Sequence, residues 1–172
     1  MDLFQMNRKS GVKDWEKYAA LMVDIFSKYT VVQPIDGKTG EQLQIAITAL
    51  LQKMNLKSNK DYTLDTEIKN NPRVIYSDQE PALKTAPVKD LLERQHIELG
   101  MTSTHAAVAE RQIRTFKRMI VDSLRGKPPE ERVWHNEDFL AKLSDLYNNE
   151  QHSTTGMTPV EARKKRNARE VV

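Results

Sequence analysis

The segment most informative for chemistry is Ser103-Thr104-His105-Ala106-Ala107-Val108-Ala109-Glu110 and the helix that follows it. At about 100° per residue, Glu110, Arg114 and Lys117 fall on one stripe. Ala109, Ile113, Phe116 and Ile120 fall on a neighbouring stripe that should face the core. A carboxylate with two cations in the next two turns can hold a metal ion and grip phosphate oxygens beside it. The same spacing also describes an ordinary amphipathic helix with Glu–Arg pairs four residues apart, and taken alone the helix favours that reading. Two more carboxylates bear on the choice. Asp78 ends the apolar run Arg73-Val74-Ile75-Tyr76-Ser77, where loops leave a sheet, and Asp2 lies in the first extended run. Two strand carboxylates and one helix carboxylate can gather oxygen-loving divalent cations. A lone surface aspartate is usually structural, and periodicity does not bring these three together.

The elements that would position them read as follows. Residues 2–6 form a short extended run, and 7–14 is polar with Gly11, as a hairpin loop would be. Residues 18–26 and 29–35 are rich in Val, Ile, Tyr and Phe, separated by a Ser27-Lys28 turn. Lys38-Thr39-Gly40 opens a helix on which Leu43, Ile47, Leu50, Leu51 and Met54 recur at helical spacing. Residues 55–71 are polar and irregular, a surface insertion. A buried strand over 73–77, a helix near 88–95 and a short strand at 97–99 come next. Thr102-Ser103-Thr104 offers caps for a long helix over 106–124, ended by Gly126 and Pro128-Pro129. A helix over about 137–147 follows, and the last begins at Thr158-Pro159-Val160-Glu161, a capping box with proline at the first helical position. This order suits a mixed sheet with helices on its faces.

A chain of 172 residues fits one domain, 1–172, with a basic, frayed tail at 163–172. No run approaches the roughly 20 apolar residues of a membrane span, so no membrane partner is expected. The start has no basic region followed by an apolar one, and nothing reads as a signal peptide. Cysteine is absent, which excludes disulfides and cysteine-ligated zinc and suits an intracellular protein. The net charge of +3 is mild, but the basic residues gather late, in the run 111–118 and in Arg163-Lys164-Lys165-Arg166. Such clusters can neutralise phosphates, or can be solvated helix faces. His96, His105, His135 and His152 show no metal-ligand spacing. Trp15, Trp134 and Tyr147 read as packing residues.

Nearly the whole chain resembles the catalytic core of retroviral and retrotransposon integrases. Met1-Asp2-Leu3-Phe4 resembles the segment with the first catalytic aspartate. Leu21-Met22-Val23-Asp24-Ile25-Phe26-Ser27-Lys28-Tyr29 is similar to the second-strand motif, whose aspartate, here Asp24, is not a metal ligand. Val74-Ile75-Tyr76-Ser77-Asp78-Gln79-Glu80 resembles the segment with the second aspartate, and 104–111 the one with the catalytic glutamate. Tyr147-Asn148-Asn149, His152-Ser153 and Gly156-Met157-Thr158-Pro159-Val160-Glu161 resemble the closing motif. Singly these are weak; five in order are strong. The wording is most similar to integrases of Maverick or Polinton-type DNA transposons and of Gypsy-like elements.

The resemblance implies an α/β, RNase H-like fold, with a five-stranded mixed sheet and helices packed on both faces. It makes Asp2, Asp78 and Glu110 the catalytic, metal-binding triad for Mg²⁺ or Mn²⁺, two ions with DNA bound. It matches Arg114 and Lys117 to the basic positions that contact the DNA end; Arg111 and Arg118 of the same basic run, and His105, are further DNA-contact candidates. The first strand reads as clipped just before Asp2. The implied reaction is polynucleotidyl transfer: trimming the 3′ ends of a mobile-element or viral DNA and joining them to target DNA. Implied partners are element-end and target DNA, and further copies in a homodimer or higher oligomer. A zinc-binding amino-terminal domain and a small carboxy-terminal domain would complete the full-length protein. The setting would be intracellular, in the nucleus. Two other readings stay open: an RNase H-like nuclease, and a catalytically impaired or domesticated core that binds DNA or oligomerises.

Overall fold

The computed structural model of the chain describes residues 1–56, 72–78, 80–101, 103–153 and 155–167, with backbone alone for 56, 103–106 and 165–167. Three strands open it: β1 (Asp2–Gln5), β2 (Tyr18–Val23) and β3 (Thr30–Ile35). Then come α1 (Gly40–Leu56), β4 (Val74–Ser77), α2 (Ala86–Arg94) and β5 (Glu98–Met101). Three helices close it: α3 (Ser103–Leu124), α4 (Glu137–Asn149) and α5 (Pro159–Asn167). The expected order holds. α1 runs on through Asn55, which is buried, and the rest of the expected insertion, 57–71, lies outside the described residues. So do Thr102 and the side chains of Ser103 and Thr104, the expected caps of α3. No described helix is long and apolar enough to cross a membrane.

Strand β2 organises the interior because it is buried on both faces. Ala20 and Met22 point into one core, with Val31, α1, α2 and Ile75 of β4; Ala19 and Leu21 point into the other, with Phe4, Val32, α3 and α4. This is the two-residue alternation of a strand applied to two apolar layers, and it puts helices on both sides of the sheet. The buried stripe expected on α3 is the observed one: Ala109, Ile113, Phe116 and Ile120 are all buried. Trp134 and Tyr147 are core residues as well, the indole N–H donating to the Asp14 carbonyl (2.8 Å).

The sheet differs from the expected single five-stranded one. Antiparallel β1-β2-β3 and parallel β4-β5 are two separate sheets among the described residues. They meet where the Met1 amino group donates to the Tyr76 carbonyl of β4 (2.6 Å). Backbone amides two residues apart point to the same side of a strand, so Leu3 N–H is the next donor on that edge. It bonds instead to Oδ1 of Asp2 (2.7 Å). A carboxylate has taken the donor that a ladder to β4 would need. Gly100 of β5 belongs to the same region: it pairs with Tyr76, and a Cβ there would come within 2.7 Å of the Tyr76 ring.

The free edge of β3 is closed by side chains. Asn148 of α4 accepts from Thr30 N–H (2.9 Å) and donates to Thr30 C=O (2.7 Å), imitating one rung of a ladder. Lys53 of α1 donates to Val32 C=O (3.2 Å) and pairs with Glu137 of α4 (3.0 Å). Pro34, next on that side, has no N–H to offer. The capping box expected at α5 is present, with Glu161 N–H on Thr158 Oγ1 (3.1 Å) and Thr158 N–H on the Glu161 carboxylate (3.0 Å). α5 continues to Asn167, and Arg163 in it donates to the Met54 carbonyl and lies over the Tyr29 ring (4.5 Å). Arg163 thus fastens α5 to the end of α1.

Two outcomes test this packing. Asn148→Ala strands two buried backbone groups on Thr30 and should lower the unfolding free energy by about 2–4 kcal/mol in a urea titration. The Tyr29 hydroxyl is buried without a hydrogen-bond partner among the described residues, and burial pushes its pKa up from 10.0 to about 12. Below pH 10 the group is neutral in folded and unfolded chains alike. Between about pH 10 and 12 only the unfolded chain releases the proton, so stability falls across that window. Tyr29→Phe should be as stable as the parent at pH 8 and lose less than the parent between pH 8 and 11.

Candidate active site

Each of the three acidic residues is positioned by a different kind of element. Asp2 is the first residue of β1, half-buried, with one carboxylate oxygen held by its neighbour's amide. Asp78 directly follows β4 and is exposed; the buried Ser77 hydroxyl donates to its Oδ1 at 3.4 Å. Glu110 stands about two turns into α3 and is exposed. It faces outward because the stripe through Ile113, Phe116 and Ile120 is drawn into the core against β1 and β2.

Electrostatics links Asp2 to each of the other two. The Asp2 carboxyl is pushed above its usual range, first by burial and then by the negative charges of Asp78 and Glu110; the Leu3 amide and the Met1 ammonium pull the other way. The Met1 amino group is itself brought down to about 6 by burial, with Asp2 and Asp78 opposing that shift. Asp2 therefore lies in the field of both Asp78 and Glu110. Among the described residues, no three His, Asp or Glu side chains approach closely enough to hold a metal ion. The three acids do not form a closed cage.

The basic residues line the helix beyond them. Arg111, Arg114 and Arg118 are exposed and Lys117 is half-buried, its Nζ 5.9 Å from the centre of the Phe4 ring on β1. Arg118 pairs with Asp122 at 3.5 Å. The side chain of His105 lies outside the described residues. Asp24 does a structural job: it accepts from the Ser27 hydroxyl (2.7 Å) and the Phe26 amide (3.3 Å), closing the turn between β2 and β3. Of the other histidines, His135 bonds through Nε2 to the carbonyls of Tyr18 (2.9 Å) and Ile35 (3.0 Å), and His152 packs edge-on to Tyr147.

Sequence reading missed the brace that ties α3 to α4. The Tyr147 hydroxyl donates to Gln112 Oε1 (2.9 Å), two residues from Glu110, and the Tyr147 ring packs on Phe116. A signal was available, since Gln112 and Asn148 are amides at positions that helical spacing turns toward apolar neighbours.

No protein-family model and no curated protein matches the chain. Solved structures do. The catalytic core domain of BIV integrase is similar with a TM-score of 0.67 and 17% identity, over 99% of this chain and 96% of that one. The HTLV-2 integrase catalytic core domain, solved in complex with magnesium in a trimeric form, gives 0.60 and 18%, over 85% of this chain and 84% of that one. What is shared at that identity is the fold, and the chain has the RNase H-like α/β fold of retroviral integrase catalytic cores.

The charge cluster is testable directly. Asp78→Asn removes the larger of the two acidic influences on Asp2, so the Asp2 carboxyl should titrate at lower pH in a ¹³C NMR titration. Glu110→Gln should move it the same way by less. An unchanged Asp2 titration in both variants would show that the three acids are not neighbours.

Proposed function

We propose that this chain is the catalytic core of a DNA integrase or transposase, a polynucleotidyl transferase that trims the 3′ ends of a viral or mobile-element DNA and joins them to target DNA. One observation carries the reading. On an integrase-core fold, Asp2 lies in the field of both Asp78 and Glu110, and a cationic stripe begins one turn beyond Glu110. The donor set fits a hard divalent cation: it offers carboxylate oxygens only, and their mutual repulsion is what a cation relieves. Asp2, Asp78 and Glu110 would hold Mg²⁺ or Mn²⁺, two ions with DNA bound. When bound, the ions supply activation of the attacking oxygen and stabilisation of the leaving 3′-oxygen.

The chain's own residues do the rest. Arg111, Arg114, Lys117 and Arg118 bind backbone phosphates and lay the strand across the carboxylates, with His105 as a further contact. Asp2 is kept in place by the Leu3 amide, and the Tyr147–Gln112 brace fixes the turn of α3 that carries Glu110. Because such phosphoryl transfers depend mainly on positioning and charge, one site serves both trimming by water and joining by the freed 3′-hydroxyl. Target contacts are made to phosphates, giving weak sequence preference and strong salt dependence. Copies of the chain associate as a homodimer or higher oligomer through helical faces, where Ile45 of α1 and Leu146 of α4 are exposed. The wording of the motifs is most similar to elements of the Maverick or Gypsy-like kind, and a DNA target makes the nucleus the expected setting.

A second reading, a core that binds DNA without chemistry, is favoured by one observation: among the described residues the acids do not converge. A strand-transfer assay with Mg²⁺ or Mn²⁺ separates the readings. The integrase reading expects joined DNA products, at least about a hundredfold fewer with Glu110→Gln, and DNA affinity in that variant no lower than the parent's, since the change removes a negative charge beside the phosphates. Arg114→Ala should weaken binding and lower its salt dependence by about one ion. Binding with no products from the unaltered chain would instead establish the non-catalytic module, and cleavage of RNA–DNA hybrids alone would establish a nuclease.

A further inference from the structure

Two residues past Asp78, Glu80 reaches a distant part of the chain. Its carboxylate accepts from Lys38 Nζ at 3.2 Å. Lys38 lies in the connection between β3 and α1, and its ammonium also sits over the Tyr18 ring of β2, 4.8 Å from the ring centre.

Each partner is set by a fixed piece of backbone. On the Lys38 side, His135 Nε2 bonds to the carbonyls of Tyr18 and Ile35, where the connection leaves the sheet. At its other end Thr39 and Gln42 cap α1 reciprocally, Gln42 N–H on Thr39 Oγ1 and Thr39 N–H on Gln42 Oε1, each at 3.3 Å. On the Glu80 side, Pro81–Lys84 forms a 3₁₀ turn whose Leu83 is fully buried in the core shared with α1 and α2. The chain then passes Gly40 so closely that a Cβ there would collide with the Thr85 side chain. Asp78 therefore stands on a short bridge, with the buried Ser77 of β4 at one end and the clamped Glu80 at the other.

An ammonium near a carboxylate cluster could act in either of two opposed ways. As a bare charge it repels a cation and weakens the site. As half of an ion pair that fixes the loop carrying a ligand it strengthens the site, since partners that orient a ligand govern metal affinity. The geometry favours the second: Lys38 is engaged by Glu80 and by the Tyr18 ring, and the charge of Glu80 balances its own.

We propose that Lys38, through Glu80, is a positioning residue for Asp78: the pair locks the loop after β4 to the β3–α1 connection and so presents the Asp78 carboxylate to a divalent cation shared with Asp2 and Glu110. The inference rests on the metal-dependent DNA-transfer reading above and adds to it a residue from a connection that supplies no ligand.

Lys38→Met and Glu80→Gln both break the pair, yet they change the local charge in opposite directions. Mn²⁺ binding to the DNA-free chain, read by calorimetry, should weaken roughly tenfold in both, and joined DNA products should fall with it. Lys38→Glu combined with Glu80→Lys rebuilds the pair in reverse and should recover most of both losses, which a merely structural role for either side chain would not produce. Thermal melts of all three are compared with the parent's, and a variant that fails to fold leaves the other two to decide. Tighter Mn²⁺ binding in Lys38→Met with weaker binding in Glu80→Gln is the signature of charge alone and overturns the proposal. So does a folded reversed pair that recovers nothing. An unaltered chain that neither binds Mn²⁺ nor joins DNA sinks the functional reading and this one together. A parent that does both, with single variants that match it, sinks this one alone.

Discussion

The structure depends on one strand being apolar on both faces. β2 gives Ala20 and Met22 to one core and Ala19 and Leu21 to the other, so neither helical layer can be removed without exposing the strand at the centre. That constraint fixes the aim of α3. Its buried stripe must lie against β1 and β2, which leaves the adjacent stripe, with Glu110, Arg114 and Lys117, facing outward above the start of β1. The acidic and basic groups are arranged by burial of their neighbours, and no attraction among the acids contributes to it. Asp2 shows the cost: burial and two nearby negative charges raise its carboxyl above the ordinary range.

Much of this was legible from residue order. The alternation in 18–35, the helical recurrence of Leu43, Ile47, Leu50 and Met54, and the Thr158–Glu161 box each report a local interaction, and local interactions leave a periodic or fixed-offset trace. The buried face of α3 was legible for the same reason. The electrostatic link of Asp2 to Asp78 and Glu110 was not, since it depends on how elements distant in the chain are packed together. Only motif resemblance suggested it.

The sheet is where the expectation failed, and a side chain sits at the break. A five-stranded sheet needs the β1 edge to donate to β4 repeatedly. Met1 does so, but at Leu3 the Asp2 carboxylate intercepts the donor. Residue types along β1 do not reveal that choice, because an aspartate in a strand can point its oxygens outward or back onto its own backbone. Likewise Arg163, which belongs to a basic run in the sequence, is held against Met54 and the Tyr29 ring. Charge clustering cannot distinguish a guanidinium that is free for phosphates from one that anchors a helix.

The closed edge of β3 has a consequence for crowding. Sheet proteins commonly aggregate by adding a foreign strand to an open row of amides and carbonyls. Here Asn148 occupies that row at Thr30, Lys53 takes Val32's carbonyl, and Pro34 offers no donor. An invading strand would find most of this flank already taken, which disfavours copies zipping together along it when they are packed side by side at high local concentration.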